Sequence, residues 1–378
     1  MAVDGTVWPI EPHTLAKHRI LRRYLDAWLP ILGRWNPRIV IIDGFAGPGR
    51  YLGGEEGSPL IALRALLDHP RMQTPRDRLE VRFCFIEERA DRAAALDHEL
   101  AVFRAQRPLP SWVHVDVANT EFATFMNGVL TEVETRRQAL APTFAFIDPF
   151  GFSGVPMQLI ERIARNPKCE VLISFMLESI NRWAWFGNPA IEAHLNELFG
   201  TTAWKALAQE RDPGRRRDGL VELYQTHLIT KAGLQYVINF EMVDRGNRTE
   251  YFLYFGTKSL KGLSVMKQAM WKTDPMGGQL FADRIDPNQL VLMPAIGAPA
   301  SLSELLQREF RGKGWISTDE FKEVEAFVLT KTIYSEKMHL RRLTLATMER
   351  ERLIEVRRPA GKRAIAGQYP AGTRIRFR

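Results

Sequence analysis

Four acidic residues stand in order along the chain, each directly behind an apolar run: Asp43 after 39–42, Glu87 after 81–86, Asp116 after 112–115 and Asp148 after 144–147. In a doubly wound parallel sheet, ligands collect outside the carboxyl ends of the strands, so acids closing successive strands are candidates for a shared site. A single acid in such a place is as often a helix cap or a turn residue. Behind the first acid comes a loop of small residues, Gly44, Phe45, Ala46, Gly47, Pro48 and Gly49. There a ligand can lie against bare backbone. The loop lacks G-x-G-x-x-G spacing and no Gly-Lys-Ser/Thr follows, which excludes the dinucleotide fingerprint and the P-loop. An acid before the loop and another closing the second run suit a ligand with an amino group on one side and a ribose diol on the other. S-adenosylmethionine has both.

A second dense signal is FAFIDPFGFSGVPM at 144–157. Proline at 149 fixes the backbone and removes a competing amide proton, Asp148 accepts a hydrogen bond, and Phe150 or Phe152 offers a stacking face. Those are the parts needed to hold an exocyclic amine of a base. Two acceptors align the nitrogen lone pair with an activated methyl group, and the departing proton leaves through the acid. Asp148, Pro149 and Phe150 are therefore the candidate catalytic residues. The sulfonium supplies the driving force, so no metal is implied.

The elements that must position these residues read as α/β. Apolar positions 21, 24, 25, 28, 29 and 32 recur at helical steps within 14–35, and Asn36-Pro37 stops that helix. Further strand-like runs occur at 171–175, 236–242 and 251–256, the last two forming a late hairpin across DRGNR. Continuous apolar runs mean strands covered on both faces, hence a doubly wound, mostly parallel sheet. Residues 176–234 read as a helical insertion, with DPGRRRD at 212–218 as an exposed loop, and MPAIGAP at 293–299 reads as a linker. The expected domains are thus a helical extension at 1–38, the sheet domain at 39–295 and a C-terminal domain at 296–378.

That last domain carries most of the net charge. The chain of 378 residues has a formal charge of +8, and 301–378 hold 17 Lys or Arg against 10 Asp or Glu, a surplus of +7. Three helices (301–311, 317–327 and 335–353) followed by a hairpin (354–358 with 364–369) make a winged-helix pattern. Arg341 and Arg342 on the third helix, with Arg357, Arg358, Lys362 and Arg363 on the hairpin, are candidate nucleic-acid contacts. A solvated basic surface or a protein-docking module is the alternative. Lys258, Lys261, Lys267 and Lys272 are further candidates for phosphate.

With 45% apolar and 25% charged residues, no signal peptide and no run near the ~20 residues a membrane span needs, the expectation is a cytoplasmic protein. Its two cysteines, Cys84 and Cys169, make no disulfide framework and read as buried thiols.

The order of strand acids resembles class I S-adenosylmethionine-dependent methyltransferases, and DPFG resembles the D/N-P-P-Y/F motif of amino-methylating nucleic-acid enzymes. More closely, the chain resembles the three-Cys-motif partner protein family, TcmP. The matching pieces are TLAKHRILRRYLDAWLPIL (14–32), IDGFAGPGRY (42–51), FIDPFG (146–151), LFGTTAW (198–204) and TKSLKGLSVMKQAMW (257–271). The resemblance implies that Asp43, Gly44, Phe45, Ala46 and Gly47 meet the methionine part of the cofactor, Glu87 the ribose hydroxyls and Asp116 the adenine amine. Asp148 would orient the acceptor nitrogen; Phe150 departs from the common second proline. Lys17 and His18 would fold over the cofactor, or else form the polar face of a helix. The implied partners are nucleic acid and a radical-SAM-like protein with three cysteines, and the alternative to catalysis is a cofactor-binding scaffold for that protein.

Overall fold

A computed structural model describes residues 5–73, 79–183, 188–244, 248–274, 280–282, 301–317, 321–360 and 365–378. The chain divides into two compact units, Met1–Ser259 with Leu280–Ile285, and Leu260–Gln279 with Asp286–Arg378. The second unit thus takes in a helix at Leu260–Thr273, well before the expected boundary at 295. The linker expected at 293–299 lies outside the described residues.

The first unit is built on an eight-stranded sheet: β1 (Arg38–Asp43), β2 (Glu80–Ile86), β3 (Val113–Ala118), β4 (Thr143–Ile147), β5 (Cys169–Phe175), β6 (Tyr236–Val243), β7 (Thr249–Thr257) and β8 (Leu280–Ala282). The spatial order is β3-β2-β1-β4-β5-β7-β6-β8. Only β7 runs against its neighbours, paired antiparallel to β5 and β6, so the sheet is mostly parallel, as the apolar runs predict. β4 and β5 are buried at every position. Such strands must be roofed on both sides. On one face lie α1 (Pro12–Gly33), α2 (Ser58–Leu67) and α3 (Ala90–Gln106); on the other lie α4 (Phe122–Thr135) and α5 (Met157–Arg165). The insertion is helical, with α6 (Leu177–Trp183), α7 (Pro189–Phe199), α8 (Trp204–Ala208) and α9 (Pro213–Thr230).

Helix α1 is fixed to the sheet by an acid inside β5. Glu170 is buried and accepts from the hydroxyls of Tyr24 (2.6 Å) and Thr257 (2.5 Å), while the Tyr24 ring packs on Phe144 and Phe255. This sets the register of α1 and so the placement of Lys17 and His18 near its start. The DPGRRRD loop is instead the start of α9: Asp212 accepts from the Arg215 N–H at 2.7 Å as N-cap and Pro213 opens the first turn. Asp-Pro ahead of helical spacing is a start signal, and the charge run masked it.

In the second unit, α10 (Leu260–Thr273), α11 (Leu302–Phe310), α12 (Phe321–Lys331), a π-helical segment (Glu336–Leu345) running into α13 (Ala346–Arg350), and an antiparallel sheet enclose a core that includes Leu306, Val324, Val328, Leu345 and Ile375. The sheet order is β10-β11-β9, with β9 at Ile316–Ser317, β10 at Ile354–Arg357 and β11 at Arg374–Phe377. The partner of β10 is therefore not 364–369. Residues 365–369 form a turn, 364 lies outside the described residues, and the alternating TRIRF supplies the strand.

Candidate cofactor and acceptor site

The chain winds outward from β1 through β2 to β3, then returns to place β4 on the other side of β1. The reversal falls between β1 and β4, the place where open α/β sheets hold their ligands. Asp43 ends β1 and Asp148 directly follows β4, so the two acids flank that point. The glycine loop is tied across it: Gly44 N–H donates to the Phe146 carbonyl and Ala46 N–H to that of Ile86, both at 2.8 Å. Gly47 and Gly49 have φ of 63° and 83°, a conformation that favours glycine. A β-carbon on Gly44 would stand 2.6 Å from the Phe122 ring, so only glycine lets the loop lie this close.

Asp43 is 3% exposed; its Oδ1 accepts from the Phe45 N–H at 3.3 Å, and its Oδ2 is buried with no hydrogen-bond partner among the described residues. Burial pushes this carboxyl up to about 7, opposed by the nearby Ser58 side chain and the Phe45 N–H and aided by the charges of Asp148 and Glu87. Glu87 is also buried, but both oxygens are used: Gly47 N–H donates at 2.9 Å and Arg89 N–H at 3.0 Å. It therefore shapes the loop and the entry to α3.

Asp148 takes one partner and leaves one oxygen over. Its Oδ2 pairs with the Lys17 ammonium at 2.5 Å, and its Oδ1 is buried without a partner among the described residues. Lys17 is 3% exposed and also lies 5.0 Å from the centre of the Tyr251 ring. The structure thus sets Lys17 on the acceptor acid, whereas the resemblance set it over the cofactor. His18, buried beside Lys17, is pushed down to about 3, chiefly by burial and then by the Lys17 charge, with Asp148 acting in the opposite sense. It stays neutral at ordinary pH.

Pro149 is buried and Phe150 exposed. Phe150 meets Trp8 edge-on at 5.4 Å, Trp8 meets Tyr51 at 5.7 Å, and the Arg92 guanidinium lies 4.6 Å from the Trp8 ring and 5.0 Å from that of Phe150. Trp8 comes within 3.8 Å of where a side chain on Gly47 would begin, and its carbonyl accepts from Leu52 N–H at 2.9 Å. Sequence reasoning missed Trp8, Tyr51, Arg92 and Tyr251. Tyr51 alone had a signal, as the residue closing IDGFAGPGRY.

Asp116 does not join this group. β3 runs on to Ala118, so Asp116 sits two residues inside the strand, about 7 Å short of its end, half-exposed and paired with Arg82 at 2.9 Å. Asn119 stands at the tip instead, its Nδ2 donating to the carbonyls of Glu87 and Glu88 at 2.9 Å each. Cys84 and Cys169 are free thiols that burial pushes up to about 11, which keeps them protonated and unreactive.

The basic candidates also sort differently from expectation. Arg358 is held by both Glu349 oxygens (2.6 and 2.8 Å) and Arg341 pairs with Glu325 at 3.1 Å, while Arg342 is exposed and Arg357 stacks on Trp315. Lys362 and Arg363 lie outside the described residues. Lys258 donates to the Ala164 carbonyl, and Lys267 is buried against the carbonyls of Val328, Thr332 and Tyr334. Neither is placed for phosphate. Among the described residues no helix is long and apolar enough to cross a membrane.

No protein-family model and no curated protein matches this chain. Among solved structures it is similar to a Porphyromonas gingivalis protein assigned as a methyltransferase, at 12% identity and TM-score 0.26, covering 58% of this chain and only 37% of that one. It is also similar to precorrin-6y C5,15-methyltransferase of Geobacter metallireducens (12% identity, TM-score 0.29, 62% and 87% covered) and to spermidine synthase of Thermotoga maritima (10%, 0.30, 68% and 65%). Likenesses this loose carry no weight for the reaction; the strand order and the residues at the β1 and β4 tips do.

Proposed function

We propose that this chain is an S-adenosylmethionine-dependent methyltransferase acting on an exocyclic amine of a nucleic-acid base. In this reading the C-terminal unit is a winged helix that binds the substrate, and the chain is of the three-Cys-motif partner type, with a radical-SAM-like protein as a further partner. The observation that carries it is a pair of buried, unpartnered carboxylate oxygens, Asp43 Oδ2 and Asp148 Oδ1, belonging to acids on either side of the sheet's reversal point. Buried polar atoms are normally satisfied, and these two belong to the acids at the point of the sheet where open α/β folds take their ligands.

The residues fit the cofactor. Asp43 Oδ2 offers an acceptor to its ammonium, the Gly44–Gly47 backbone gives a cradle without side chains, and Glu87 lies beside that cradle for hydroxyl donors. The adenine end falls to the β3 tip at Asn119 rather than to Asp116. When bound, the cofactor supplies an electrophilic methyl group. Asp148 Oδ1 and the Pro149 carbonyl accept the two amine protons and so fix the direction of the nitrogen lone pair. Lys17 holds the other oxygen and prevents the carboxylate from turning away. Phe150 and Trp8 provide ring faces for the base. After transfer the nitrogen carries positive charge, and Asp148 takes its proton.

Purified protein incubated with methyl-labelled cofactor and total RNA or DNA tests the reading. Label in one nucleic-acid fraction, lost in Asp148→Ala with cofactor binding intact, is the expected result. A parent protein that binds the cofactor yet labels neither fraction overturns it.

A further inference from the structure

We infer that the outer face of the three-stranded sheet in the second unit is a stacking platform for single-stranded nucleic acid; of the residues that the charge pattern singled out on helix and hairpin, it keeps only Arg357. Across β10 and β11, Arg357 stands opposite Arg374 and Arg376 opposite Glu355. Strand alternation sends Ile354, Ile375 and Phe377 into the core and leaves Arg357, Arg374 and Arg376 exposed on the other side. Trp315, one residue before β9, lies at the same surface. Its ring is 4.3 Å from the Arg357 guanidinium and 5.0 Å from that of Arg376.

Arg378 follows on the same face, where Glu355 takes Arg376 at 2.6 Å and Arg378 at 2.9 Å. Among the described residues of this face, one carboxylate therefore stands with four guanidinium groups, a positive excess. By contrast, Arg341 of the π-helical segment is engaged by Glu325, Arg350 of α13 by the Ala346 carbonyl and the Thr347 hydroxyl, and Arg358, just past β10, by Glu349.

An aromatic ring flanked by arginines is the arrangement that takes unpaired bases, since every base has a π-face and the guanidinium groups reach the phosphates between them. A duplex keeps its bases stacked inside and offers this ring nothing. An acidic protein segment would meet the charge but bring no base to stack with the ring and its guanidinium groups. The occupant to which the surface commits is a single strand. This deepens the proposed nucleic-acid substrate while having its own readout.

The test is anisotropy of a short labelled single strand with the full chain, across a salt series. Arg357→Gln/Arg374→Gln keeps side-chain bulk and is expected to bind ~10-fold more weakly, with the salt slope reduced by about 1.4 for two lost phosphate contacts. Trp315→Ala is expected to weaken binding ~10-fold with the slope unchanged, because stacking releases no counterions. Arg342→Gln on the helix should bind like the parent. The inference is overturned if the double Gln variant, checked as folded by its melting curve, keeps the parent's affinity and slope, or if a duplex of the same sequence binds more tightly. A parent that binds the strand through this face but methylates no nucleic acid sinks the proposed reaction and leaves the platform standing. Methyl transfer whose KM ignores all three sheet substitutions does the reverse.

Discussion

Two lysines are buried to almost the same degree, one in each unit, and they are neutralised in opposite ways. Lys267 is 4% exposed and spends its three ammonium protons on the backbone carbonyls of Val328 in the last turn of α12 and of Thr332 and Tyr334 just past it. Lys17 is 3% exposed and meets a carboxylate, Asp148, whose second oxygen is left with no partner among the described residues. The first arrangement is closed: each donor has an acceptor, and its purpose is to hold the chain after α12. The second is open by one acceptor. A buried acceptor without a donor costs about 1–3 kcal/mol, and in the proposed reaction this oxygen of Asp148 is the one that meets the acceptor amine.

The strongest way to break this comparison is at Asp148. Asp148→Asn keeps the shape but replaces an acceptor with a donor, and methyl transfer is expected to fall by ~10²–10⁴-fold with cofactor affinity nearly unchanged, as single-turnover assays and calorimetry would measure. Next is Lys17→Met, which leaves the mostly buried Asp148 carboxylate, 20% exposed, without its counter-charge. A loss of about 3–5 kcal/mol in urea unfolding is expected, and the double variant Lys17→Met/Asp148→Asn should recover most of that stability while staying inactive. Recovery of activity as well would mean that the pair is merely structural. Lys267→Met should cost about 1–3 kcal/mol, with no effect on cofactor affinity, because it strands three backbone carbonyls and removes the positive charge that faces buried Glu336.

The smallest effect concerns pH. Since the Asp43 carboxyl lies near 7 in the fold against 3.8 in the unfolded chain, the folded state holds the extra proton between those values. Its contribution to stability is full below 3.8 and is lost as pH rises through about 7. A cationic ligand needs the ionised form, so cofactor affinity should move the other way and rise roughly tenfold between pH 6 and 8. Asp43→Asn should remove that pH dependence and stabilise the ligand-free protein at pH 8, as melting curves would show. An affinity flat across this range would detach Asp43 from the cofactor.

How much of this could be read from the residues depended on whether a signal was local. β4 and β5 are uninterrupted apolar runs, and both were visible because strands covered on both faces carry no polar phase to confuse. β3 was cut short, since Asp116 ends its apolar run while pairing with β2 continues through Val117 and Ala118. That error carried Asp116 into the candidate site. The acids at the β1 and β4 tips were legible as a type at a place, but their unlike states were not: Asp148's partner Lys17 comes from 131 residues away, and the pin on α1, Glu170, is an acid inside a strand where pattern reasoning expects none. Likewise, counting arginines located a basic unit but not the face that carries the charge. That is decided by strand alternation in β10 and β11, which gathers Arg357, Arg374, Arg376 and Arg378 around the single Glu355 among the described residues of that face.

The path of the chain between the two units has a further consequence. Residues Leu260–Gln279 belong to the second unit, Leu280–Ile285 return to the first, and only then does the remainder of the second unit follow. Excising everything after β8 would strand α10, baring the Lys267 ammonium and the Trp271 indole N–H that donates to the Ile333 carbonyl at 2.9 Å. A cut that spares the core of the second unit therefore falls before Leu260, and it takes β8 from the edge of the first unit's sheet with it.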